Sequence, residues 1–85
     1  MSDTSRSAAR PRWSVRLERA RQDAGFKAAI DFARHMGLSQ QRYAHYEAGK
    51  REPDFQLLVE MCGALSVTPN YILTGSEGRS DQRAA

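Results

Sequence analysis

Apolar positions along this chain recur at steps of three and four residues and never in strict alternation, a pattern that predicts helices and no strands. Trp13, Leu17, Ala20 and Ala24 form one helical stripe, closed by Gly25. Ala29, Phe32, Ala33 and Met36 form a second, shorter one, stopped by Gly37. Ser39 is a good N-cap for a third helix, with Leu38 just outside it, and Gly49 ends that helix. Pro53 and Asp54 open a fourth, whose stripe is Leu58, Met61, Cys62 and Leu65. Thr68 caps a fifth, Pro69 takes its first position, Tyr71 and Ile72 supply its apolar contribution, and Gly75 stops it. The expectation is an all-α, compact five-helix domain over residues 12–75, with 1–11 as a flexible basic arm and 76–85 as a flexible tail.

The third helix divides into two unlike faces. At about 100° per residue, Gln40, Ala44, Gln41 and His45 share one side, Tyr46, Tyr43 and Glu47 share the other, and Arg42 stands between. The first side has the chemistry for reading bases. A glutamine amide sets a donor beside an acceptor, matching N6 and N7 of adenine in the major groove. Ala44 keeps the helix surface low enough for a close approach. Arg42 suits guanine or, from the edge, a phosphate, and His45 donates to either. Ser39 marks a helix N-terminus, which itself favours phosphate. Each polar residue alone reads as solvated surface; the four together on one face point to DNA. A short helix, a glycine turn and a helix opening Leu-Ser also has the shape of a helix-turn-helix, and Ala33 is small where the two helices cross.

Charge agrees with that reading. Residues 1–51 carry 11 Lys and Arg against 5 Asp and Glu, a balance of +6, whereas residues 52–85 carry 2 against 5, a balance of −3. A chain polarised in this way meets a polyanion with one side. Eighty-five residues form one small domain. No apolar run is long enough to span a membrane, and the first dozen residues lack the apolar core of a secretory signal. The single cysteine, Cys62, fits a reducing cytoplasm and sits on an apolar stripe as a core residue. His35 and His45 have no companions at zinc-ligand spacing, and no nucleophile–base set or glycine-rich phosphate loop stands out. No catalysis, cofactor or metal is expected.

The segments "RLERARQDAGF" and "FARHMGLSQQRYAHYEAGKREPDFQLLVEMCGALSVTPNYILTG" resemble the phage-repressor and Cro type of helix-turn-helix, the XRE family, over about residues 13–75. The specific marks are Arg21 four before Gly25, Ala33 four before Gly37, "YEAGKREP" and "PNYILTG". The resemblance implies that the third helix enters the major groove. It places Gln40, Gln41 and His45 at base-contacting positions, and Lys50 and Arg51 where backbone phosphates are held. Arg21 and Glu47 fall where the family has a partly buried ion pair, which would explain an acid on the packing face. Two departures stand out. Lys27–Ala28 replaces the usual polar cap of the second helix, so Lys27 would hold phosphate by charge alone. Tyr43 is larger than the usual aliphatic residue, so the third helix either sits further out or brings the phenol hydroxyl out beside the DNA backbone.

The function expected is a sequence-specific transcriptional regulator, a repressor on an inverted-repeat operator. It would bind as a homodimer paired through Tyr71, Ile72 and Leu73. The rival is an antitoxin-like module of the same fold, whose main partner is a protein such as a toxin. The arm, with Arg6, Arg10 and Arg12, either follows a DNA groove or stays solvated. Trp13 anchors the first helix over the core.

Overall fold

A computed structural model describes residues 10–76, and the chain segments 1–9 and 77–85, with most of the expected arm and tail, lie outside the described residues. Among those described, the helices are α1 (Arg12–Asp23), α2 (Ala29–Met36), α3 (Gln40–Glu47), α4 (Phe55–Leu65) and α5 (Pro69–Thr74), with no strand. Their starts follow local chemistry. The Ser39 hydroxyl accepts from the Arg42 N–H (3.1 Å), the Asp54 carboxylate from the Leu57 N–H (2.8 Å), and the Thr68 hydroxyl from the Tyr71 N–H (3.1 Å). Each satisfies an N–H that the first turn of a helix leaves without a partner. α2 starts on Ala28 with no side-chain cap.

The turn between α2 and α3 depends on Gly37. Its φ of 74° is the left-handed region that glycine enters without strain. The turn closes with the Leu38 N–H donating to the Ala33 carbonyl at 2.8 Å. Ala33, fully buried, lets α2 and α3 come together behind that turn. α4 ends differently: Ser66, not a glycine, takes the left-handed conformation at φ 61°.

α1 is central to the packing, touching α2, α3 and α5, while α4 leans on α5. The core gathers Leu17 from α1, Phe32 from α2, Tyr43 and Tyr46 from α3, Met61 from α4 and Ile72 from α5, each sealed from solvent. At ~1.5–3 kcal/mol per fully buried large apolar side chain, such residues supply most of the drive to fold. Two features depart from the stripes. Ala24 lies just beyond the end of α1 and is exposed, because the stripe runs one residue past the helix. Ile72 is wholly buried within this chain's own core, so it cannot line a surface between two copies; its neighbour Leu73, half-exposed, points outward.

Candidate nucleic-acid interface

α3 shows solvent the face that its sequence separates. Gln40, Gln41, Arg42 and Ala44 are exposed and His45 is half-buried, while Tyr43, Tyr46 and Glu47 turn into the body. Ser39 stands exposed at the N-terminal end of the helix. At the other end the backbone folds back on itself: the Lys50 and Arg51 N–H groups both donate to the His45 carbonyl, at 2.9 and 3.3 Å. This closure follows α3 directly with both basic residues, exposed. Gly49 within the turn has φ 76° and lies against Pro11 and Ser14 of the α1 start, where any side chain would collide with the proline ring.

The angle of this face to the body is set by a buried polar network. Arg21 of α1 donates from Nε to Glu47 Oε2 at 2.6 Å and from Nη2 to Oε1 at 3.4 Å. Its Nη1 donates to the carbonyls of Phe26 (2.6 Å) and Lys27 (2.8 Å), so the same guanidinium also pins the α1–α2 turn. Tyr43 Oη donates to Glu47 Oε2 at 2.6 Å. A buried charge pair is favourable only when its remaining donors and acceptors are met, and the Arg21 guanidinium makes four hydrogen bonds here. Burial works against the Arg21 charge, but the hydrogen bond and charge of Glu47 outweigh it, and the net effect raises the guanidinium's already high pKa. Burial, then the hydrogen bond and charge of Glu47, pushes the Tyr43 phenol well above its ordinary range. The hydroxyl therefore does not emerge beside a DNA backbone, and that expectation is corrected. The larger ring is accommodated because Phe32 meets it edge-on at 5.3 Å and its hydroxyl has an acceptor inside.

Lys27 is exposed at the entrance to α2, its carbonyl held by Arg21. Arg10, from the expected arm, donates from both terminal nitrogens to Glu18 Oε1 at 2.8 Å, so it lies on α1 rather than reaching outward. Of the three residues expected at a dimer surface, Leu73 is exposed, Tyr71 half-buried against the core and Ile72 interior. One participant was missed by sequence reasoning: Tyr46 Oη accepts from Arg42 Nε at 2.8 Å. The signal was the arginine–tyrosine spacing of four on a helix, which puts the two side chains side by side. Also unforeseen is a shallow cavity of about 170 Å³ between α1, α4 and α5, lined by Trp13, Glu52, Pro53, Phe55, Leu58 and Leu73. Phe55 on its rim is 85% exposed.

Two helices joined by a tight left-handed turn, the second presenting amides to solvent from a capped N-terminus, define a helix-turn-helix unit. Residues 17–72 match the family model described as "Helix-turn-helix", and the chain belongs to this family, in its repressor and Cro (XRE) type. It is 32% identical over 68 residues to the SPbeta prophage-derived uncharacterized HTH-type transcriptional regulator YonR of Bacillus subtilis (strain 168), covering 78% of this chain and 60% of that protein. It is 36% identical over 45 residues to the uncharacterized HTH-type transcriptional regulator YqaE of the same organism, covering 53% of this chain and 39% of that protein. The matched stretches thus take in 60% or less of each relative's length. No helix among the described residues is long and apolar enough to cross a membrane.

Proposed function

We propose that this chain is a sequence-specific DNA-binding transcriptional regulator that acts as a repressor, with α3 in the major groove. The observation that carries the proposal is the set of exposed Gln40, Gln41, Arg42 and Ala44 with half-buried His45 on one helix, backed by Lys50 and Arg51 and held at a fixed angle by the buried Arg21–Glu47–Tyr43 network. The two glutamines read adenine edges, His45 donates to a base or a phosphate, and Ser39, Lys27, Lys50 and Arg51 hold the backbone. A single α3 spans too few base pairs to specify one site. A homodimer on an inverted repeat, with half-site centres about 34 Å or 10–10.5 bp apart, supplies the rest. Occupancy of a promoter then excludes polymerase. Sequencing DNA selected from a random pool tests the proposal: a two-fold motif at that spacing is expected, and recovery of unenriched sequence overturns it.

The exposed Phe55 and the apolar cavity beside it favour a second reading, in which a protein such as a toxin is the main partner. That reading expects retained binding to a partner protein together with salt-sensitive DNA affinity that does not depend on sequence.

A further inference from the structure

Arg42 and Tyr46 stand one turn apart on α3 and differ sharply in surroundings. Tyr46 is 1% exposed, its ring packed edge-on against Tyr43 at 6.4 Å, whereas Arg42 is exposed. The phenol oxygen nevertheless reaches the surface arginine, accepting from Nε at 2.8 Å, and the guanidinium carbon lies 5.8 Å from the ring centroid. That distance is within reach of a cation–π attraction. A surface arginine ordinarily samples many rotamers, and ordering it on binding weakens affinity. Here a rigid core residue restrains it beforehand.

The choice of nitrogen matters. With Nε engaged, Nη1 and Nη2 remain, and neither meets an acceptor among the described residues. Together they form an end-on fork of parallel N–H donors, which matches two adjacent acceptors: O6 and N7 of a guanine, or two oxygens of one phosphate. We infer that Tyr46 is a positioning residue whose hydroxyl aims Arg42 at a paired acceptor in DNA. The inference rests on the proposed function, and it assigns a role in recognition to a side chain that itself touches no DNA.

The test is a double-mutant cycle on the full chain, with affinity for the selected DNA read by fluorescence anisotropy and folding by thermal melting. Tyr46→Phe keeps the packed ring and removes only the hydroxyl. It should lower affinity about three- to tenfold, the scale of ordering one long side chain, and have no further effect once Arg42→Ala is present. An equal loss in both backgrounds means a structural role and overturns the inference, as does no loss with Arg42 in place. Arg42→Lys, at an exposed position that does not threaten folding, keeps the charge but has no fork. It should lose a similar factor, and full affinity in that variant overturns the inference by a separate route. The two acceptors separate cleanly: with guanine, 7-deazaguanine in the site reproduces the Tyr46→Phe loss; with phosphate, the loss extends to random DNA. A wild-type chain that binds no DNA removes the proposed function itself, whereas a binding wild type with an unaffected Tyr46→Phe removes only the positioning role.

Discussion

Gln41 and Lys50 lie a few residues apart but should fail in different ways when truncated. Gln41 offers a base edge a donor and an acceptor, so Gln41→Ala should cost roughly 1–3 kcal/mol on the selected site and little on random DNA. Lys50 offers only charge. Lys50→Ala should weaken both alike and lower the slope of log affinity against log salt by about 1 per subunit. Titrations at several salt concentrations check both; an equal loss on both DNAs for Gln41→Ala would count against base reading. Side-chain roles of this kind were partly legible in the sequence, because burial and exposure on α3 follow from angle alone. The hydroxyl of Tyr46 was not. A helical wheel assigns a residue to one side, yet a tyrosine can bury its ring and still offer its oxygen to a neighbour at the surface.

The joint between α1 and α3 is where stability and pH dependence should show. Glu47→Ala leaves Arg21 a buried cation without its carboxylate and Tyr43 a buried hydroxyl without its acceptor. The expected loss is about 3–5 kcal/mol, a large part of what holds so small a domain folded, and thermal melting measures it. Alkali should reach the same joint. The Tyr43 phenol is held above its usual value, so the folded chain keeps a proton that the unfolded chain begins to release near pH 10. Its stabilising contribution is whole below that pH and declines as pH rises. Burial likewise pushes the Cys62 thiol from 9.0 up to about 11, with the same sign. Tm should therefore fall between about pH 9 and 11, and Cys62→Ala and Tyr43→Phe should each flatten that limb; an unchanged Tm across the range contradicts the burial argument. Helix starts were legible because Ser39, Asp54 and Thr68 are caps by their own chemistry. The end of α4 was less so, since Ser66 takes a conformation that glycine usually marks. The Arg21–Glu47 pair was reached only through family resemblance, since local spacing does not bring together residues 26 apart.

The proposed pairing of two copies would fall on the side of the domain formed by α4 and α5. Phe55, Val59 and Leu73 are exposed there, and Glu52, Asp54 and Glu60 lie on the same stretch of chain. If copies pair on this side, Leu73→Asp and Phe55→Asp should reduce binding to that of an isolated half-site while leaving the circular dichroism unchanged. Sedimentation of the DNA complex checks this, and a persistent two-to-one complex rejects it. The sequence could not divide α5 into an inner and an outer side, because six residues hold less than two turns; Ile72 and Leu73 are equally apolar and only packing tells them apart. The same short helix is tied back to the beginning of the chain. Arg16 of α1 donates from Nε to the Ile72 carbonyl at 2.9 Å and from Nη2 to that of Leu73 at 3.2 Å, acceptors 56 and 57 residues further on. On the ribosome, α1 is synthesised long before those carbonyls exist, and until they do the core lacks Ile72. α3 and its Arg21–Glu47–Tyr43 joint are thus translated before the core can be completed, and a nascent chain halted before residue 72 lacks both Ile72 and the acceptors of Arg16.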